Sequence, residues 1–247
     1  MSRRYRLLPP IPDSIVASVH VQERDLMSFQ TFLLPSGSEE DEASFRVIGM
    51  AHCEKKTVVF VFSSVSGCWS VGASTKWDAL SLTRCPLLPK PHYVYGCFYW
   101  RVLKRNKLIK LDMSRMEFST VDLPPDHNKR GIVIVEAGEG RLGMFSLMAY
   151  DTSVYYAIRQ REDVGANEWQ MENVIPLPVN YNFYIDGAPG GYIFLLGIPK
   201  ARDMVPAAWF SLEINTLKIQ RVSGMRRHYC GVKPYFGFPP SMSPRRV

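Results

Sequence analysis

Residues 107–118 read KLIKLDMSRMEF, and this stretch decides the fold class. Its apolar side chains alternate with Lys110 and Asp112, as in a strand that buries one face and exposes the other. A short polar turn follows, and the chain then returns with the aromatic residue Phe118. We interpret the stretch as a strand, a tight turn and the start of a second, antiparallel strand.

The same unit of strand, turn and apolar anchor recurs with a period close to 50 residues. In three copies the two anchors lie seven positions apart, and the remaining copy has a longer turn. A period near 50 with four short strands per unit is typical of kelch-like propeller blades. The copies are Phe62–Trp69, Leu111–Phe118, Ile158–Trp169 and Leu212–Ile219.

The sequence therefore predicts an all-β fold, a kelch-like β-propeller built from four-stranded antiparallel blades. We expect one propeller domain over residues 1–247, with about four repeat units in residues 45–240. Residues 1–44 fit the repeat less well and are predicted to hold a partial blade and an acidic loop. The pattern leaves open whether the blades close a ring or form part of a larger propeller.

Runs of β-branched and aromatic residues between Gly, Pro, Asn and Asp predict the strands, and amphipathic helix patterns are nearly absent. One run, Val94–Trp100, is apolar on both faces, so it must be covered on both sides by stacked sheets. The predicted strands are Phe45–Met50, Thr57–Ser63, Tyr93–Val102, Lys107–Met113, Ile132–Ala137, Gly143–Met148, Tyr155–Arg159, Tyr192–Ile198 and Trp209–Ile214.

Composition and targeting signals favour an intracellular protein, cytoplasmic or nuclear. The five cysteines are widely spaced without a CxxC pair, which suits buried thiols in a reducing compartment. Prolines follow the short basic N-terminus and interrupt any signal peptide. No run of 18 apolar residues is present, so we expect no membrane partner.

The net charge of +7 and the isoelectric point near 9.2 permit contact with nucleic acid or an acidic protein. Much of the excess lies in short separate runs, which is typical of solvated loops and tails. We therefore do not expect nucleic acid as a partner. A basic nucleic-acid-associated protein remains the alternative, and its affinity would fall steeply with salt. The runs are 3–6, 104–110, 226–227 and 245–246.

The motifs that suggest chemistry fail in context. Gly138–Gly143 matches G-x-G-x-x-G, but a strand-like run follows where a dinucleotide site needs a helix, so we predict a glycine-rich hairpin. His52 and Cys53 are adjacent and would point to opposite faces of a strand. The histidines are too far apart for local zinc spacing, and no GxSxG is present. We therefore assign no catalytic, cofactor-binding or metal-ligating residue and no cofactor. A propeller-type hydrolase, which would need paired carboxylates, is a less favoured alternative.

Three features are considered as places where a partner would bind. Trp69 and Trp169 lie at repeat anchors and are assigned to packing, whereas Trp77 lies between units and is a candidate for surface recognition. Binding loops on one face of the blades are the other candidates, namely Ser36–Glu42 and Arg161–Asn167.

Several segments resemble the F-box-associated β-propeller region of plant F-box proteins, particularly the grass subfamily, over nearly the whole chain. The likeness rests on a series of short segments in the order "GCFYW, then LD, then EFS.VDLPP, then EAGEGRLGMF". This series is typical of the family and contains no catalytic residues. The segments are Arg3–Ser14, Phe45–Thr75, Tyr95–Trp100, Leu108–Asp126 and Val135–Phe145.

The resemblance implies a non-catalytic, protein-interaction domain that holds the protein to be ubiquitinated by a cullin ligase. Members of the family carry an F-box helix bundle that binds the ligase adaptor. Ile11–Val19 resembles the opening of an F-box, but the residues after it do not continue the helical pattern. We therefore expect no F-box in this chain, which puts the adaptor contact in doubt and leaves an unknown target protein as the partner.

Overall fold

The computed structural model describes residues 7–35, 44–159, 168–200 and 207–224, and all structural statements concern these residues. They form one short α-helix, α1 (Asp13–Ser18), three single-turn 3-10 helices and a series of strands. The strands are β1 (Leu26–Pro35), β2 (Phe45–Cys53), β3 (Lys56–Ser63), β4 (Cys68–Lys76), β5 (His92–Val94), β6 (Cys97–Arg101), β7 (Lys107–Asp112), β8 (Glu117–Asp122), β9 (Gly131–Glu136), β10 (Leu142–Leu147), β11 (Ser153–Arg159), β12 (Trp169–Pro176), β13 (Tyr181–Gly187), β14 (Tyr192–Pro199), β15 (Ala208–Glu213) and β16 (Ile219–Gly224).

The strands form four four-stranded antiparallel sheets, and in each the strands follow one another in chain order. Sheet 1 contains β1–β4, sheet 2 β5–β8, sheet 3 β9–β12 and sheet 4 β13–β16. The predicted all-β fold with four-stranded antiparallel blades is confirmed. Residues 1–44, expected to hold a partial blade, contribute β1 to the complete sheet 1.

The predicted strands coincide with observed ones, with one correction. The run Tyr93–Val102 is divided into β5 and β6, because Tyr95 (φ 47°) and Gly96 (φ 73°) adopt the left-handed conformation of a tight turn. Six strands lie outside these predicted ranges, and each is the first or the fourth of its sheet; for the fourth strands the repeat predicted only the start, at the anchors Trp69, Phe118, Trp169 and Ile219. The six strands are β1, β4, β8, β12, β13 and β16.

The repeat found in the sequence is the hairpin between the third and fourth strands. Phe62 pairs with Trp69 in sheet 1, and Leu212 pairs with Ile219 in sheet 4. In sheet 3 the partner of Trp169 is Arg159, one position beyond the predicted anchor. The described turns place a left-handed residue just before the fourth strand, which explains their similar length: Gly67, Met116 and Leu217.

A second recurrent feature closes three of the sheets. The residue that follows the fourth strand donates its backbone N–H to the turn between the second and third strands of the same sheet. These residues, Trp77, Leu123 and Leu177, are buried, with 2%, 6% and 5% exposure. The acceptors are the carbonyl oxygens of Lys55 (3.1 Å), Asn106 (2.9 Å) and Thr152 (2.8 Å), respectively.

The described chain forms two compact units. Unit 1 includes residues 7–89, 96–103 and 108–121, and unit 2 includes 90–95, 104–107 and 122–224, with the undescribed ranges left aside. The largest core of unit 1 lies between sheet 1 and strands β6 and β7, around the rings of Phe32, Phe98 and Trp100. Trp100 donates its indole N–H to the Gln30 side chain at 3.1 Å, so this buried polar atom is paired.

The N-terminal segment covers the other face of sheet 1. Ile11 and Ile15 pack with the buried side chains of Cys53, Val58 and Phe60. Trp69 Nε1 donates to Pro9 O at 2.8 Å, and Lys56 Nζ donates to Val19 O. Residues 7–12, which belong to the segment expected to hold a partial blade, contain no strand and lie against sheet 1 through the contacts of Pro9 and Ile11.

The core of unit 2 lies between sheets 3 and 4. Tyr181, Phe183 and Phe210 stack in edge-to-face or tilted contacts at 5.0–5.8 Å, and Phe145 stacks on Tyr156 at 4.3 Å.

Candidate interaction surface

The adjacent His52 and Cys53 do lie on opposite faces of β2, as predicted. His52 Nδ1 is 3.1 Å from Thr57 Oγ1, and its ring lies 6.0 Å from that of Trp77. Burial lowers the pKa of His52 to about 4, so the imidazole is neutral at physiological pH. Cys53 packs on the other face with Phe60, and the two side chains therefore form no dyad.

A cavity of about 270 Å³ opens beside the turn between β2 and β3 in unit 1. It contains one thiol, Cys53, and one imidazole, His20. Burial raises the pKa of the Cys53 thiol, which keeps it protonated and makes it a poor nucleophile. The cavity therefore lacks the activated thiolate that cysteine catalysis requires. Its lining residues are His20, Asp25, Cys53, Glu54, Lys55 and Lys56.

The glycine-rich segment Gly138–Gly143 is the predicted hairpin turn. Gly138, Glu139 and Gly140 have positive φ, and strand β10 follows immediately. A Cβ atom on Gly143 would lie 2.8 Å from Val135 Cγ2 and 3.0 Å from Tyr156 Cε2. The last glycine thus makes room for a neighbouring strand and an aromatic ring, and it does not begin a helix.

The prediction that Trp77 is a surface recognition residue is wrong. Its side chain is 2% exposed, and its indole N–H donates to Cys53 O at 2.8 Å. It occupies the position of Leu123 and Leu177 in the recurrent contact described above. Trp69 packs on Phe62 and donates its indole N–H to Pro9 O, in agreement with its predicted structural role. Trp169 donates its indole N–H to Asp122 O at 2.9 Å.

The predicted contact loops Ser36–Glu42 and Arg161–Asn167 lie outside the described residues. Cys230 also lies outside them. Of the four cysteines that the structure describes, Cys53 and Cys97 are buried, Cys85 is half-buried and Cys68 is exposed. The prediction of buried thiols is thus wrong for Cys68.

One end of unit 2 presents a surface that the sequence analysis did not single out. In an antiparallel sheet, the turn between the second and third strands lies at the same end as the segment leaving the fourth strand. We call this surface the basic loop face and define it by residues 104–107, 122–130, 148–152, 177–180 and 200.

Hydrogen bonds link the segments of the basic loop face in series. Asn106 accepts from Leu123 N at 2.9 Å and, through its side chain, from Asn128 N at 2.6 Å. Thr152 accepts from Leu177 N at 2.8 Å, and Asn180 O accepts from Lys200 N at 3.0 Å. The loops are therefore held by their own backbone and form a defined surface.

Two ion pairs further fix this surface. Arg130 contacts Asp151 at 3.1 Å, with side chains 19% and 27% exposed, and its guanidinium lies 4.8 Å from the ring centre of Tyr155. Lys107 contacts Asp122 at 3.2 Å. Salt bridges between described residues do not involve the other cations of the face. These cations are Lys104, Arg105, Lys129 and Lys200.

Among the segments of unit 2 that the structure describes, the two ends differ in charge. The basic loop face holds six Lys and Arg and three Asp residues. The strand ends and turns at the opposite end, residues 136–141, 186–191 and 213–218, hold two basic and four acidic residues. Part of the basic loop face is visible in the sequence, because residues 104–107 read KRNK. The other cations of the face are distant in the chain and are brought together by the fold.

Three residues on the basic loop face have left-handed backbones although they are not glycine. They are Lys104 (φ 62°), Asp126 (φ 64°) and Tyr150 (φ 73°). Tyr150 is also 72% exposed, although aromatic residues rarely adopt this conformation. Positive φ alone does not mark a binding site, because Met116 and Leu217 adopt it in ordinary hairpin turns; Tyr150 is distinguished by combining it with a strongly exposed aromatic ring.

Within the described ranges, no group of three His, Cys, Asp or Glu side chains is arranged to hold a metal ion. Among the helices of the same ranges, none has the length and hydrophobicity needed to cross a bilayer.

Comparisons with solved structures find only distant likenesses. The chain is 10% identical to oligogalacturonate lyase in complex with manganese (TM-score 0.42), covering 74% of this chain and 51% of that one. It is 11% identical to SapL1 lectin in complex with alpha methyl fucoside (TM-score 0.42; 80% and 63%). It is also 11% identical to exo-beta-1,3-galactanase from Phanerochaete chrysosporium (TM-score 0.42; 79% and 49%). The chain spans less than two thirds of each protein, and likenesses this distant carry no argument about activity.

Curated proteins gave no match to this sequence. A family model does match, over residues 2–185, and it describes the β-propeller of F-box protein AT5G49610-like proteins. The matched range includes sheets 1, 2 and 3, whose strand order and hairpins were described above. Because the match extends over more than half of the sequence, the chain belongs to the F-box protein AT5G49610-like β-propeller family.

Proposed function

We propose that this chain is a non-catalytic protein-binding domain that recognises target proteins for ubiquitination, as the F-box-associated propellers of plants are expected to do. Its place of action would be the cytoplasm or the nucleus. The family supports a protein-interaction role in general, and the target and the link to a ligase are our proposal.

The basic loop face is the observation that carries this function. Loops positioned by a rigid scaffold are the usual sites of protein recognition. Here the segments are linked by backbone hydrogen bonds, and the Arg130–Asp151 pair is partly withdrawn from solvent. The face therefore needs little ordering on binding, which lowers the entropic cost of association.

Nucleic-acid binding is the second candidate, because the same cations would attract phosphates. Sequence-tolerant binding of single strands also uses several aromatic rings on which bases stack. On the basic loop face, Tyr150 is the strongly exposed aromatic residue of the described segments. This surface is thus better suited to a protein that supplies its own apolar and acidic groups.

The test is affinity capture of the tagged full chain from plant cells, with the tag alone as control. The proteins retained are quantified, with separate attention to the cullin ligase adaptor and the cullin. Reproducible enrichment of the adaptor together with other proteins supports target recognition within a ligase. Enrichment of other proteins without the adaptor supports protein binding and removes the ligase link. Retention no greater than that of the tag overturns the proposed function.

A further inference from the structure

We propose that the basic loop face of unit 2 binds an acidic segment of the target protein, with Lys104 and Arg105 pairing its carboxylates and Tyr150 covering an apolar side chain beside them. This inference rests on the proposed function, because it names the chemistry of the partner that the domain would recognise.

Charge supplies the first step of the argument. Lys104, Arg105 and Lys129 are exposed, and no salt bridge to another described residue occupies them. Lys104 and Arg105 lie in the turn that is anchored to residues 123 and 128 through Asn106. Their charges are therefore held near that of Lys129. Such a group attracts carboxylates and orients a partner as it approaches.

Geometry supplies the second step. Lys104 and Tyr150 both lie in the turn between the second and third strands of their sheets, and both have positive φ. A tyrosine that is 72% exposed contributes little to the core of the folded chain. Tyr and Arg are enriched among the residues that dominate binding energy at interfaces. The Arg130–Asp151 ion pair fixes the base of the Tyr150 turn, because Asp151 also accepts from Met148 N at 3.3 Å.

The acidic bias at the opposite end of unit 2 supplies the third step. An acidic segment would be repelled there by residues such as Glu136, Glu139 and Glu213 and attracted to the basic loop face. Opposed charges on one unit thus favour a single orientation of the partner, as electrostatic complementarity requires.

The experiment measures binding of a fluorescein-labelled peptide of Glu and Asp, with Leu near its middle, by fluorescence anisotropy. A peptide of the same length with Gln and Asn in place of the acids is the uncharged control. We expect the full chain to bind the acidic peptide, and the double variant Lys104→Glu with Arg105→Glu to lose at least about tenfold in affinity. Tyr150→Ala should lose about fivefold, because only the apolar contact is removed.

Lys218→Glu with Arg221→Glu is the matched control. It makes the same change of charge in unit 2, on exposed residues outside the basic loop face. Affinity should change less than about twofold. An equal loss in this control would overturn the proposal, because attraction would then follow net charge alone. Tighter binding of single-stranded poly-uridine than of the acidic peptide, lost in the same Lys104 and Arg105 variant, would also overturn it in favour of nucleic acid.

Capture from plant cells separates this inference from the proposed function. If the intact chain retains specific proteins and the Lys104→Glu, Arg105→Glu variant retains the same ones, the domain binds proteins through another surface and only the inference fails. If the intact chain retains nothing beyond the tag, the proposed function itself fails.

Discussion

The indole nitrogen Nε1 of Trp77 lies 2.8 Å from the carbonyl oxygen of Cys53, 24 residues earlier in the chain. The backbone N–H of the same tryptophan donates to Lys55 O at 3.1 Å. A single residue thus anchors both sides of the β2–β3 turn, while its ring fills the core of unit 1. In sheets 2 and 3 leucine makes the backbone bond and has no side-chain donor, so among these three described sheets the second, side-chain bond belongs to sheet 1.

Trp77→Phe tests that anchor. We expect the free energy of unfolding to fall by about 1–3 kcal/mol, because Cys53 O loses a buried donor and the smaller ring leaves space. Trp69→Phe is the control, since its half-buried indole also donates to a carbonyl, Pro9 O. It should cost less than about 1 kcal/mol. Urea unfolding measures both, and equal losses would show that the Trp77 bond has no special weight.

The case of Trp77 shows where sequence reasoning ended. Its neighbours in the sequence are mostly polar, so the local pattern suggested an exposed side chain. The carbonyl oxygen that accepts its indole N–H lies 24 residues earlier in the chain and could not be inferred from that pattern. A central strand such as β3 was predicted correctly, because burial on both faces leaves a continuous apolar run. Edge strands such as β1 were missed, because their exposed positions alternate too weakly to be distinguished from loops.

The candidate surface was only partly visible in the sequence, for a similar reason. The basic run at 104–110 was recognised and interpreted as solvated charge. Lys129, Arg130 and Lys200 are far from it in the chain, and the succession of second-to-third-strand turns places them on one face. A charge pattern that depends on strand topology has no local signature.

Gly143→Ala tests the packing of sheet 3. The added methyl group would overlap Val135 and Tyr156, so we expect a loss of about 1–3 kcal/mol in unfolding free energy. Gly131→Ala in the same sheet is the control, because its Cβ would meet Leu147 O at 3.6 Å and Ile185 Cβ at 3.9 Å, which are ordinary contacts. Thermal denaturation of the two variants compares them directly. Similar melting temperatures would contradict the steric argument.

His52 should make the stability of the chain depend on pH. Burial holds its folded pKa at about 4, while the unfolded chain has the ordinary value near 6.5. The unfolded state therefore binds more protons between these values, and stability falls as the pH decreases from about 6.5 towards 4. Between pH 7.5 and 5.5 the loss from this residue should be about 1 kcal/mol.

His52→Gln provides the comparison, since glutamine retains a polar group near Thr57 without a titrating ring. Its unfolding free energy, measured by urea denaturation at several pH values, should decline less between pH 7.5 and 5.5 than that of the native chain. Above pH 7 the two curves should have the same slope, because the His52 imidazole is then neutral in both the folded and the unfolded state. Parallel curves across the whole range would mean that His52 does not titrate on unfolding.

Lys104→Gly separates stability from recognition at the basic loop face. A left-handed backbone costs an ordinary residue about 1–2 kcal/mol, and glycine avoids this cost. Glycine destabilises the folded state by about 0.5–1 kcal/mol, because it gives up more conformational entropy on folding. Because the Lys104 side chain is exposed, no packing is lost, and we expect a net gain of about 0.5–1 kcal/mol in unfolding free energy. Acidic-peptide affinity should fall in the same protein, because one cation is removed.

Lys218→Gly, at an exposed position without positive φ, should be slightly destabilising and leave affinity unchanged. Opposite signs for stability and binding in the Lys104 variant are the expected mark of a residue kept for function at a structural cost. If both quantities rise, the strain at Lys104 has no part in recognition.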